Sequence, residues 1–233
     1  MPPVRLLVSN GNLCYPVGQY ILRLYSGVMT IADSATVAVA AAADLTAKAR
    51  IRNAALELFA ASGAANTTIR EVAKGAGVTH GLVVHHFANK DGLRRAVQQH
   101  VIESIRQALE SVPGEGTAAD IRQARDASVD RMLRAQPAVL SYMRRAMLDP
   151  SENDTELIAM LADFTLGEIR DLRARGLAAT STPDYAQAMG VMVRELGPRL
   201  LAPVAEHFWM YLTDGTAGPT PELTITTKPS PPR

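Results

Sequence analysis

Residues 68–86 read TIREVAKGAGVTHGLVVHH, and their spacing is that of two short helices meeting at a tight turn. Ile69, Val72 and Ala73 supply the inward face of the first helix, and Thr68 followed three residues later by Glu71 is a capping-box start. Gly77 stands where the chain must turn, because a left-handed conformation costs least in a residue without a Cβ. Thr79 caps the second helix, which runs through His86; small Ala73 lets the two helices approach and Val78 plugs the corner between them. This is the arithmetic of a helix-turn-helix, whose second helix enters the major groove of DNA.

The pattern extends in both directions. Upstream, Leu45, Ala49, Ile51, Ala55, Leu58 and Phe59 recur at three- and four-residue spacing and Gly63 follows as a C-cap, which predicts a helix from about Leu45 to Ser62. Downstream, Asn89 caps a long helix from Lys90 to about Ser111, ahead of Pro113-Gly114. Further amphipathic segments run at about 117–135, 137–148, 152–175 and 183–213. The last holds Gly197, Pro198 and Pro203, so a kink or break is expected near its middle. Residues 1–43 have no helical period and are expected to be a flexible arm; Met29 lies just before the ordered pattern, which leaves open a start there with the first 28 residues outside the protein. Residues 214–233 turn to Thr, Pro and Gly and are expected to be a disordered tail.

Composition agrees with an all-α chain: 47% of the 233 residues are apolar, only 5% are aromatic, and Ala, Leu, Met and Val are abundant. A single cysteine, Cys14, supports neither an internal disulfide nor a Cys-rich zinc site, and fits a reducing cytoplasm. No stretch approaches the roughly 18 consecutive apolar residues of a membrane span. The net charge of +1 argues at face value against a polyanionic partner. Divided along the chain, it conceals an asymmetry: residues 44–111 carry 9 Lys+Arg and 6 Asp+Glu, whereas residues 112–182 carry 9 and 11. The basic end is the one that holds the helix-turn-helix.

Residues 46–95, from TAKARIRNAALELFAASG through the turn to HHFANKDGLRR, resemble the DNA-binding domain of the TetR family of bacterial transcriptional repressors. The resemblance implies a three-helix DNA-binding domain over 44–95 with a linking helix to about 111. It also implies a helical effector-binding and dimerisation domain over 112–213, and a homodimer that binds a pseudo-palindromic operator and releases it when a small molecule enters the helical core. Thr79, His80 and Gly81 open the recognition helix; His80 is the first choice for a base-edge contact, the other outcome being solvent or a phosphate, and Gly81 allows close backbone approach. Of His85 and His86, the resemblance implies that one reaches the DNA backbone while the one before Phe87 packs partly against the domain. They are not a metal pair, since neighbouring helical residues point about 100° apart. Thr68 and Lys90 start helices, where free N–H groups meet phosphate oxygens. Arg70 is expected at a phosphate or a guanine edge, and Lys48, Arg50 and Arg52 either at the DNA backbone or in solvent. The family usually carries an aromatic residue, most often Tyr, three before the Phe of its HF pair, where the hydroxyl holds a phosphate; here that position is Val84.

The second half has no phosphate loop, no HExxH and no GxSxG, so no enzyme and no cofactor is expected. It has Met and aromatic side chains on helical stripes, and Met132, Tyr142, Met143, Met160, Phe164, Met189 and Met192 are expected either as packed core or, together, as a hydrophobic effector pocket. Arg144 and Arg145 are expected in solvent, or otherwise at an anionic effector. The family typically dimerises through two final long helices, and the Thr- and Pro-rich end of this chain offers no helix beyond 183–213. The alternative reading is therefore a TetR-shaped helical binding protein with weakened DNA affinity.

Overall fold

The computed structural model describes residues 31–149, 155–214, 216 and 218–227. Among them are eight helices and no strand: α1 Ile31–Ser62, α2 Ile69–Ala76, α3 His80–Phe87, α4 Lys90–Glu110, α5 Ala118–Ala135, α6 Pro137–Leu148, α7 Thr155–Ala174 and α8 Asp184–Leu212. The boundaries from α2 onward fall within three residues of those expected. α1 is longer than expected, since the backbone is helical from Ile31 and residues 31–43 had been assigned to the arm. Their Ala-rich run has the best intrinsic helix propensity even where it lacks an apolar period. Residues 1–30, with Cys14 and Met29, lie outside the described residues.

Residues 1–44 and 45–233 are separate compact units. In the second, one apolar cluster is continuous from end to end: Ile51, Ala55 and Phe59 of α1 meet Val72, Val83 and Phe87 of α2 and α3, and the cluster passes through Leu93, Val97 and Val101 of α4 to Val139, Tyr142 and Met143 of α6 and Leu157 of α7. Phe59 and Tyr142 stand with ring centroids 6.4 Å apart at the junction. The expected two domains thus share a core. α7 and α8 make the most extensive helix pair of the remaining body, and α4 packs on α5.

Two adjacent arginines on α6 do work that their sequence neighbourhood does not disclose. Pro203 has no N–H to offer the Arg199 carbonyl one turn back. Arg144 supplies that donor from α6, its Nη2 reaching the Arg199 oxygen at 2.8 Å and its Nε the Leu200 oxygen at 3.2 Å. Of the kink or break expected near the middle of α8, a break is absent: the helix runs without interruption through Pro198 and Pro203. Arg145 points the other way. The last four carbonyls of α1 have no intrahelical donor; the N–H of Gly63 serves Phe59 at 2.9 Å and the Asn66 side chain serves Ser62 at 3.1 Å. Arg145 serves the two between, Ala60 at 3.3 Å and Ala61 at 3.0 Å. Neither arginine is the solvent-facing residue expected of it.

Beyond α8 the chain turns, with the Thr216 N–H on the Thr213 carbonyl at 2.9 Å. Residues 218–227, expected to be disordered, run extended back along α8: Trp209 Nε1 donates to the Gly218 carbonyl at 2.9 Å and Ile225 lies against Gly197. A composition of Pro, Thr and Ile reads as loop, yet it equally suits an extended segment.

Candidate nucleic-acid interface

The helix-turn-helix is built by its caps. Thr68 accepts the Glu71 N–H at 3.2 Å while the Glu71 carboxylate accepts the Thr68 N–H at 2.7 Å and its hydroxyl at 2.8 Å. Those bonds, the backbone one foremost, hold the Glu71 carboxyl below its ordinary range. Gly77 closes α2 in the left-handed region at φ 63°, and the Val78 N–H reaches the Ala73 carbonyl at 3.0 Å. Thr79 then caps α3 by accepting the Leu82 N–H at 3.3 Å. Val83 and Phe87 anchor the inner face of α3 in the core, so Thr79, His80, Gly81, Val84 and His85 are exposed along its outer face. Nothing lies within 4 Å of a Cβ built on Gly81, so the backbone there is open to a close approach. Thr68 and Arg70 are exposed at the start of α2.

His86 is half-buried, with its ring 6.1 Å from that of Phe87, while exposed His85 stands 5.3 Å from His86. The division between the two histidines follows the expectation that one faces outward and one packs inward. Arg50 and Lys90, two of the cations expected near the DNA backbone, each donate to backbone carbonyls of the same chain. Arg50 donates from Nη2 to the carbonyls of Ala76 and, at 3.1 Å, Gly77, so its guanidinium braces the turn. Lys90 Nζ donates to the Ala65 carbonyl at 2.8 Å and ties the loop before α2 to the start of α4. The ammonium keeps two further donors. Arg52 is half-buried, and burial lowers its pKa; it faces His100 on α4, whose own pKa is lowered by burial and then by the Arg52 charge. Lys48 lies 6.0 Å from the centre of the Phe87 ring.

Residues 51–97 match the family model described as bacterial regulatory proteins, tetR family. That segment is a TetR-family DNA-binding domain. The regulatory protein RaaS of Mycobacterium tuberculosis is 50% identical over 66 residues, 28% of this chain and 31% of that protein. The transcriptional repressor Rv3405c of the same species is 44% identical over 63 residues, 27% of this chain and 34% of that one. The chain thus matches about a third of the length of each of these relatives. A TetR-family transcription regulator from Shewanella sp. PV-4 superposes with a TM-score of 0.53 at 18% identity, covering 72% of this chain and 90% of that structure. The fold is therefore the TetR fold over both halves, an N-terminal helix-turn-helix followed by a helical body.

In the helical body, α4, α5, α7 and α8 line a partly open cavity of about 680 Å³. Of the seven side chains expected to form a pocket, Phe164 and Met192 line it. Tyr142 and Met143 are fully buried in the shared core, Met132 and Met160 pack against that core, and Met189 is exposed. Helical spacing identified the apolar faces without distinguishing a wall from a packed centre. The polar lining was missed altogether: Arg125 is paired with Glu168 and Arg194 with Glu195, and burial, with Glu195 adding to it, raises the Asp126 carboxyl. The cavity is therefore mainly apolar, with two internal ion pairs and the side chains of Arg122 and Asp126 also on its wall.

Proposed function

We propose that this chain is a transcriptional repressor that binds a pseudo-palindromic operator as a homodimer and releases it when a small hydrophobic effector enters the helical body; it is not an enzyme, and it acts on DNA in the cytoplasm. The observation that carries the reading is the outer face of α3, where His80, Gly81 and His85 are exposed on a helix held from behind by Val83 and Phe87. His80 and Thr79 read base edges, while Thr68, Arg70 and His85 position the helix on phosphates. Lys90, already bonded to Ala65, holds the loop in place and offers its remaining donors to a phosphate. The effector enters the cavity beside Phe164 and Met192, whose volume lies within the range of about 300–1,000 Å³ usual for small-molecule sites.

The homodimer forms on α8. Leu201, Val204, Phe208, Tyr211 and Leu212 are all exposed and recur at three- and four-residue spacing, a stripe along one face of the helix. An apolar stripe of that kind is self-complementary about a two-fold axis. The experiment is a gel shift with the DNA flanking the chain's own gene, alongside sedimentation at micromolar concentration. Retardation at one palindromic site by a dimer supports the reading, and a clean monomer without retardation sinks it. The alternative, a TetR-shaped binding protein with weak DNA affinity, is favoured by Arg50 and Lys90 being spent internally and by Val84 in place of an aromatic hydroxyl; dimers that ignore the DNA would select it.

A further inference from the structure

The cavity has a wall that none of the eight helices provides. Ile225, Thr226 and Thr227 line it, and they belong to the extended segment that returns along α8. Its geometry is specific. Gly218 is bonded to Trp209, Ile225 lies over Gly197, and Thr227 lies over Gly190, so the segment runs antiparallel to the helix. Nine residues of extended chain span about 30 Å, and the nineteen helical residues from Trp209 back to Gly190 span about 28 Å. The strap is therefore drawn out to its length on the helix. Over 222–226 the residues alternate as an extended chain requires, Leu223 and Ile225 half-buried and Glu222, Thr224 and Thr226 exposed, and Thr227 beyond them is exposed too. The seat is made of glycine. A Cβ on Gly197 would come within 2.8 Å of Ile225 Cδ1, and one on Gly190 would stand 3.5 Å from Thr227 Oγ1. Glycine weakens a helix interior by about 1 kcal/mol against alanine, and here the missing side chain makes room for another part of the same chain.

We propose that this C-terminal strap is the gate of the effector cavity: an apolar guest enters by lifting Ile225–Thr227 off α8, and Ile225 limits the depth available to it. The inference rests on the effector-pocket reading above. Three features favour a movable wall. The strap is held by a half-buried isoleucine and leucine, by one hydrogen bond at its root, and by no helix or ladder of its own. Its seat is a helix that stays intact when the strap leaves. Its far end, beside Gly190, is the end at the cavity.

The test uses the full chain in a Cys14→Ser background with Gly190→Cys and Thr227→Cys, since a Cβ on Gly190 would stand 3.5 Å from the Thr227 side-chain oxygen, within reach of a disulfide. Uptake of the neutral apolar fluorophore N-phenylnaphthylamine is followed by stopped flow in the oxidised and reduced forms, with Gly197→Leu and a truncation after Gly218 as independent means of removing the strap. The expected result is association about tenfold slower when the strap is pinned, restored by reduction, and about tenfold faster than wild type in the other two variants. Equal rates in pinned, reduced and truncated proteins overturn the gate and leave the pocket standing. Absence of uptake by every form, the truncation included, overturns the pocket itself and the gate with it.

Discussion

Replacing Arg145 by Ala removes the guanidinium that hydrogen-bonds α6 to the end of α1. In the wild type its guanidinium donates to the Ala60 and Ala61 carbonyls at 3.3 and 3.0 Å and lies 3.4 Å from the Asp149 carboxylate, with about a third of the side chain exposed. A hydrogen bond to a charged group contributes about 1.5–3 kcal/mol when buried. Exposure halves that here, because water replaces the guanidinium on at least one carbonyl, and the pair with Asp149 at the surface adds little. The expected loss is therefore about 1.5–2.5 kcal/mol. For a folded region of this size each kcal/mol lowers Tm by about 2–4 °C, so a fall of about 3–10 °C follows. Urea denaturation followed by circular dichroism measures it, and amide exchange at Gly63 and Ala64 should quicken, since these follow the two uncapped carbonyls. Arg145→Lys keeps the charge but not the fork, and should lose about half as much. An unchanged urea midpoint together with unchanged exchange at Gly63 in Arg145→Ala would falsify the assignment of Arg145 as a cap on α1.

Further outcomes follow from the DNA-binding end. Gly92→Ala should destabilise by about 2 kcal/mol or more in urea, although Gly→Ala ordinarily helps a helix, because the added Cβ would stand 2.1 Å from the backbone oxygen of Phe87. Gly81→Ala meets nothing within 4 Å, so it should preserve or raise stability while weakening DNA binding in a gel shift; loss of stability there would refute the open approach to this turn of α3. Val84→Tyr restores the hydroxyl that the family usually carries and should tighten operator and random DNA alike by about three- to tenfold, since a phosphate contact carries no sequence information; a gain on operator alone would count against a phosphate clamp. His100 has its pKa lowered by burial and by Arg52, so the unfolded chain takes up the proton first. Stability should accordingly fall as pH drops from about 7 through the ordinary histidine value of about 6.5, and His100→Gln should flatten that slope in urea titrations across the same window.

What could be read from the chain and what could not divide by the range of the interactions. Thr68 with Glu71, Gly77, Thr79 and Asn89 all act within four residues of themselves, and the capping box, the left-handed turn and both later caps stand where the spacing put them. Arg50, Lys90, Arg144 and Arg145 look in sequence like surface cations. Each finds backbone carbonyls between 25 and 85 residues away, a partnership that no local pattern encodes. The two expectations for the Met and aromatic side chains, core or pocket, stayed open for a related reason, since Met143 and Met192 have the same helical period, and only the packing of α6 against α8 sends one to the core and the other to a wall. The strap was hidden by its composition, because Pro and Thr mark a loop until a glycine-lined helix lies beside them.

Pro203 has a consequence for the order in which the molecule assembles. With the carbonyl of Arg199 served from α6, α8 is not a self-sufficient helix: it closes its hydrogen bonding only after α6 has docked. The apolar stripe from Leu201 to Leu212 straddles that point, so a nascent or partly unfolded chain presents no continuous face for a second subunit to recognise. Under the proposed pairing on α8, association is then expected as a late event, open to subunits whose interior is already complete.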